Sequence, residues 1–360
     1  MITNYCERFS KKELNECGKQ LAFLDNNILG DIRQILEKNL DFKNSIKNTF
    51  LSKNLLPVLN NFAFYEFIKG LEKQLDHSQD QISLTNNRVL ALLQTKRSTI
   101  GLLEDLGSLW ILNAEHVLGF ELVHLYYNRK ENAYDYYKLF SKTPLDRAGS
   151  CLGKSYLCDK YFPYGFIPYA KSDEKETIPN LTLSEYFDGL CDDLFKGESQ
   201  DIDNKIMVQF VHINDAVSTK KQLLAAKKIE EIWKGRMKMI LMPILGPEGI
   251  NVRTLDNTYQ NLNNDFINSP NKFLQHAPLL SVFDAFYWKN MNEWHLVNPK
   301  KKKSHIYDRL HAEVALSYCD CFITNDEELQ KRSIEIIDPL NLSVKVGRFN
   351  TEKIEIEWLN

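Results

Sequence analysis

Two short apolar runs constrain this chain most. Leu21-Ala22-Phe23-Leu24 ends at Asp25, and Cys321-Phe322-Ile323-Thr324 is followed by Asn325 and Asp326. Neither run alternates polar with apolar residues, which suits strands covered on both faces, as in a parallel sheet. Helical spacing follows each run: Ile28, Ile32, Ile35, Leu36, Leu40 and Ile46 after the first, and a helix opening at Glu327 after the second. This strand-then-helix rhythm predicts an α/β fold with a parallel sheet.

Composition sets the outer limits. With 43% apolar and 26% charged residues among 360, the chain can bury a core. Its 15 glycines and 11 prolines fall well below the roughly 12% of average usage, which excludes collagen-like and low-complexity classes. A formal charge of −3 excludes a globally basic coat protein, but a local basic patch stays open. Seven cysteines, an odd count without a CxxC pair, read as free thiols in a reducing compartment rather than disulfides or a zinc site. Met1 to Gly18 lacks a signal-peptide pattern. The longest apolar run, about Met239 to Leu245, contains Pro243 and is too short to span a bilayer. The expectation is a cytoplasmic protein with no membrane partner.

Between the two strand runs the chain reads as helical. Pro57 breaks it after Phe50, and a second helix covers about Asn61 to Leu75. Arg88 to Phe140, Leu183 to Phe195, Ser218 to Lys238 and Lys272 to Trp294 carry helical patterns. Tyr161 to Asn180 reads as a loop and Gly246 to Pro270 as a polar, Asn-rich connector. Ser304 to Tyr318 is a further helix, and Ser343 to Arg348 and Lys353 to Trp358 alternate as edge strands. One α/β domain is therefore expected in two halves, residues 1–78 and 304–360, around a mostly helical insertion at 79–303.

The acids carry the chemistry. In open parallel sheets, ligands bind outside the carboxyl ends of the strands, which places Asp25 and Asp326 on one edge. Gathered carboxylates repel one another, and a hard cation such as Mg²⁺ with oxygen ligands is the natural reason to gather them. Each acid also has a plainer reading: Asp326 as a helix N-cap, and Asp25 as a turn residue with Asn26 and Asn27.

The segment D-R-L-H-A-E-V-A-L-S-Y-C-D-C-F-I-T-N-D-E-E-L, from Asp308 to Leu329, resembles the closing motif of PIN-domain nucleases. F-L-D-N-N-I-L, from Phe23 to Leu29, resembles their first motif. The resemblance implies a PIN-like parallel-sheet domain that holds Mg²⁺ or Mn²⁺ on four acids and cuts RNA. Residue by residue, Asp25 matches the first-strand acid, Glu66 the early-helix acid, Asp308 the acid of the helix before the last motif, and Asp326 the acid of Thr-x-Asp. Thr324, Asn325 and Asn27 would support them. The resemblance covers about 130 residues, and the insertion departs from the family. It implies a metal-dependent endoribonuclease under the control of a regulatory protein, or a toxin or phage-defence effector; a homo-oligomer stays open. The alternative is a non-cleaving PIN-like scaffold that binds RNA or protein through its insertion. The opening motif also resembles that of haloacid dehalogenase-like phosphatases, but Asn27 stands where those need an acid.

Basic residues are the candidate RNA contacts. Lys300, Lys301, Lys302 and Lys303 precede Asp308, with Arg309 beside it. Lys220, Lys227 and Lys234 share a face of a second segment, readable as a phosphate-binding face or a solvated one. His305 and His311 flank Asp308 and read as helix packing, a phosphate contact, a metal ligand or a proton carrier. Asp320, just before the second strand, reads as structural. Removing the charge of Asp25 (Asp25→Asn) is expected to relieve repulsion among the acids.

Overall fold

The apolar run at Leu21 forms a central strand of the sheet. The computed structural model describes residues 8–60, 63–64, 66–68, 87–129, 131–142, 182–195, 234–235, 238, 241, 250–268, 270–291 and 299–360. The chain opens with β1 (Arg8–Phe9), α1 (Lys11–Glu16), β2 (Gln20–Leu24), α2 (Asn26–Lys38), α3 (Phe42–Ser52) and β3 (Leu55–Leu59). After a helical turn carrying Glu66 come α4 (Asn87–Asp105), β4 (Leu109–Ile111), α5 (Ala114–Tyr126), α6 (Ala133–Tyr136) and β5 (Phe140–Ser141). Then follow α7 (Leu183–Phe195), α8 (Val252–Asn268), α9 (Pro270–His276), α10 (Pro278–Met291) and α11 (Pro299–Tyr318). The chain closes with β6 (Cys321–Ile323), α12 (Glu327–Leu340), β7 (Lys345–Asn350) and β8 (Glu355–Trp358).

These strands make one eight-stranded mixed sheet in the order β1-β5-β4-β3-β2-β6-β7-β8. The five central strands, β4 to β7 in that order, run parallel, and the flanking pairs are antiparallel. Leu21, Ala22, Phe23 and Leu24 are fully buried, as strands covered on both faces require. From β2 the chain steps through β3 to β4 on one side, whereas from β6 it steps to β7 on the other. The boundary between β2 and β6 is therefore a topological switch point, where a crevice opens beyond the strand ends.

Leu183–Phe195 and the α/β ends of the chain agree with the sequence reading, and several elements differ. Pro57 does not break the chain: it lies within β3, in register with Ala22. The ladder to β4 begins only at Val58, so Pro57 has a flank where its missing N–H deprives no partner. Arg88 to Phe140 is not all helix, since β4 and β5 lie within or at the end of it and join the sheet. The Asn-rich connector is largely α8: Asn251 caps it by accepting the Thr254 N–H at 3.2 Å, and Leu255 and Thr258 are buried. Lys272 to Trp294 divides into α9 and α10 at Ala277. Of the two expected edge strands, β7 is internal and β8 is an edge.

Of the basic segment Ser218 to Lys238, Lys234, Gly235 and Lys238 fall among the described residues. Lys234 pairs with Asp256 at 2.7 Å. Tyr161 to Asn180 lies outside the described residues. Among those described, no helix is long and apolar enough to cross a membrane, and Cys17, Cys191, Cys319 and Cys321 are free thiols.

One buried acid belongs to the scaffold. Glu121 of α5 is fully buried and accepts the Leu279 and Leu280 N–H groups of the first turn of α10, at 2.9 and 2.8 Å. The Tyr318 hydroxyl donates to it at 2.6 Å. It thus caps a neighbouring helix whose first N–H groups have no partner within that helix. Burial pushes its pKa up to about 7, against the lowering effect of those three hydrogen bonds.

Candidate active site

Asp25 directly follows β2, and Asp326 lies two residues beyond Thr324 at the end of β6. Because β2 and β6 are parallel neighbours, both acids stand at the same edge, at the switch point, Asp25 buried there and Asp326 lining a cleft. Each also caps the helix that leaves its strand. Asp25 accepts the Asn26 N–H at 2.8 Å at the start of α2, and Asp326 accepts the Leu329 N–H at 2.8 Å at the start of α12. The plain N-cap reading of Asp326 therefore holds alongside its place in the crevice. The positive ends of both helix dipoles also point at the acids.

Asp25 is 3% exposed, and its carboxylate is fully engaged. Oδ1 accepts the Asn26 N–H and faces His311 Nδ1 at 3.1 Å. Oδ2 accepts Asn27 Nδ2 and the Thr324 hydroxyl, both at 2.7 Å. A carboxylate offers about four lone-pair sites, and here each has a donor. Asn27 also accepts the Asn325 N–H at 3.1 Å. Asn325 bonds both the N–H and the carbonyl of Phe349 on β7 and donates to Asp31 on α2 at 2.6 Å. Burial pushes the Asp31 carboxyl up, and the Asn325 bond opposes it. Asn27, Thr324 and Asn325 thus knit the ends of β2, β6 and β7 together around Asp25.

The other two acids come from helices. Asp308 lies well inside α11, as expected, although that helix begins at Pro299 rather than near Ser304. Its pKa is pushed up to about 7, first by burial and then by the Asp25 charge, with Glu66 and Asp326 adding to the rise and His311 opposing it. Glu66 sits 4.0 Å from His311 Nε2. Asp308 and Asp326 line one cleft with Phe286, Arg309 and Arg332.

The basic candidates divide. Arg309 is turned inward, its Nε 3.1 Å from the fully buried Glu313 and its guanidinium over the Phe283 ring. That inward ion pair commits the guanidinium to the interior more than to an RNA backbone. Lys300, Lys301, Lys302 and Lys303 lie in the first turns of α11 rather than before it; their side chains, and that of His305, are outside the described residues. Asp320 is structural: it accepts the Leu21 N–H at 2.8 Å and pairs with Lys11 at 3.2 Å.

The sequence reading left the role of His311 open, and the structure puts it at the centre of the acids. The signal was present, because an Asp and a His three apart on a helix share a face. The donors suit a hard cation, being carboxylate oxygens. As it stands, no group of three or more His, Cys, Asp or Glu among the described residues is arranged to hold a metal ion. Ion binding by Asp25 requires it to exchange a protein donor.

No family model, no curated protein and no solved structure matches this chain.

Proposed function

We propose that this chain is a metal-dependent endoribonuclease of PIN-like architecture. The observation that carries the reading is the switch-point crevice. It holds Asp25 and Asp326 at the ends of adjacent parallel strands, with Asp308 close enough to Asp25, Glu66 and Asp326 for its titration to respond to all three. Glu66, Asp308 and Asp326, with Asp25 after release of one donor, would hold Mg²⁺ or Mn²⁺. An ion there supplies a bound water of lowered pKa and offsets charge on the attacked phosphate. Asn27, Thr324 and Asn325 orient Asp25, and the two helix N-termini favour anionic groups at this edge. RNA is the substrate class, and a regulatory protein partner, a toxin or phage-defence setting and a cytoplasmic location accompany the reading. The test is a labelled single-stranded RNA incubated with Mg²⁺ or Mn²⁺ and either wild type or Asp326→Asn. Asn is an equally good N-cap, so the variant separates chemistry from folding. Metal-dependent cleavage by wild type alone supports the reading, and no cleavage by either protein sinks it.

The second reading is a non-cleaving scaffold that binds RNA or protein. What favours it is the full engagement of Asp25 by protein donors. A Mn²⁺ titration separates the two, since a scaffold has no need of the ion.

A further inference from the structure

We propose that His311 is the positioning residue of the crevice: its Nδ1–H sets the orientation of the Asp25 carboxylate for an ion, while Nε2 faces Glu66. The proposal rests on the metal-site reading above.

His311 is completely buried on α11. Its Nδ1 lies 3.1 Å from Asp25 Oδ1, and a carboxylate only accepts, so Nδ1–H is the donor. The opposite nitrogen, Nε2, is 4.0 Å from Glu66 Oε2, beyond hydrogen-bond reach. Nε2 is buried and has no hydrogen-bond partner. A histidine that served packing alone would be expected to satisfy both nitrogens, because an unmet buried polar atom is costly. Here the unmet atom is aimed at an acid of the crevice. The ring plane is steadied from below by Phe23 of β2, with centroids 5.8 Å apart. Asp308, three residues earlier on α11, shares its face. His311 therefore sits where three sources of acid meet, bonded to the end of β2, carried on α11 and facing the helical turn of Glu66. A partner one bond behind a ligand, as Nδ1–H is behind Asp25, sets ligand geometry, and its loss typically weakens metal binding about 10–100-fold.

The test is Mn²⁺ binding to the full chain by calorimetry, comparing wild type, His311→Asn and His311→Gln. Both variants lose the ring and any charge it carries, so the charge change cancels between them. The Asn amide falls near the position of Nδ1 and keeps a donor for Asp25; the Gln amide falls near Nε2 and does not. His311→Asn is expected to bind Mn²⁺ about tenfold tighter than His311→Gln. A difference below about threefold, or tighter binding by His311→Gln, overturns the role of His311 while leaving the metal reading intact. Wild type that binds no Mn²⁺ overturns both together. Should either variant fail to fold, ¹⁵N-histidine NMR of wild type decides. A solvent-protected Nδ1–H whose resonance moves on adding Mg²⁺ supports the proposal, and one indifferent to Mg²⁺ overturns it.

Discussion

Thr324 donates its hydroxyl to Asp25 at 2.7 Å, joining the end of β6 to the end of β2 across 299 positions of sequence. The same oxygen accepts from Asn27 Nδ2 at 3.0 Å and from the Asp326 N–H at 3.1 Å. Thr324→Val keeps the shape and removes all three bonds. It is expected to cost about 2–3 kcal/mol, the scale of a buried bond to a charged group plus neighbours left unmet. Thr324→Ser is expected to lose much less. Denaturant unfolding of both variants checks this, and equal losses would show that the methyl group matters rather than the hydroxyl.

Asp25→Asn was expected from the sequence to relieve repulsion, and the geometry reverses the sign. Four donors converge on this carboxylate, and an amide turns one of its two acceptor ends into a donor. A loss of about 1–3 kcal/mol follows. A melting temperature at or above that of wild type would return the repulsion argument to favour.

Relief belongs to Asp308 instead, which is half-buried beside three other acids. Metal-free Asp308→Asn should melt above metal-free wild type. Mn²⁺ at about a hundred times its Kd should stabilise wild type by about 2.7 kcal/mol and leave the variant nearly unmoved. Thermal melts with and without Mn²⁺ read both effects. A variant less stable than wild type without metal would refute the crowding argument.

Glu121 predicts a pH dependence away from the crevice. Its folded pKa of about 7 lies above the ordinary 4.5, so between those values the native state holds the proton more tightly than the unfolded chain. Its contribution to stability then falls as pH rises through that window. The change is about 3 kcal/mol, at roughly 1.36 kcal/mol per unit. Unfolding of wild type and Glu121→Gln from pH 4.5 to 8 should show their difference shrinking as pH rises. A constant difference would mean that Glu121 folds already charged.

The lysine run offers a test of RNA binding. With α11 beginning at Pro299, the backbone of residues 300–303 lies only about 8–12 Å along the helix axis from Asp308. Replacing all four lysines with Ala should weaken RNA binding across sequences and flatten its salt dependence, with Mn²⁺ affinity retained. An unchanged salt slope in a filter-binding series would move the RNA contact elsewhere.

The parts of the fold readable in the sequence are those whose signal is local. Leu21–Leu24 and Cys321–Ile323 announce themselves because a strand buried on both faces needs an unbroken apolar run. Asp25 and Asp326 are then placed by topology alone. β3 stayed hidden because Pro57 ordinarily ends a strand, and only the short β4 ladder makes it tolerable. α8 stayed hidden because its asparagines favour turns, and burial of Leu255 and Thr258 overrides that preference. In the crevice, the acids and the Thr324-Asn325 support were legible as a motif. The link between His311 and both Asp25 and Glu66 was not, since it depends on where three separate segments meet.

The sheet order has a consequence for synthesis. β2 pairs with β6, whose partner residues Ala22 and Cys321 lie about 300 positions apart. At roughly 5–20 residues per second, β6 leaves the ribosome roughly 15–60 s after β2. During that interval β2 has an open flank, and the nascent chain lacks Asp308, His311 and Asp326. Whatever chemistry the crevice performs cannot start until residue 326 has been made. A product terminated before residue 308 would carry Asp25 and Glu66 without the two acids and the histidine that face them.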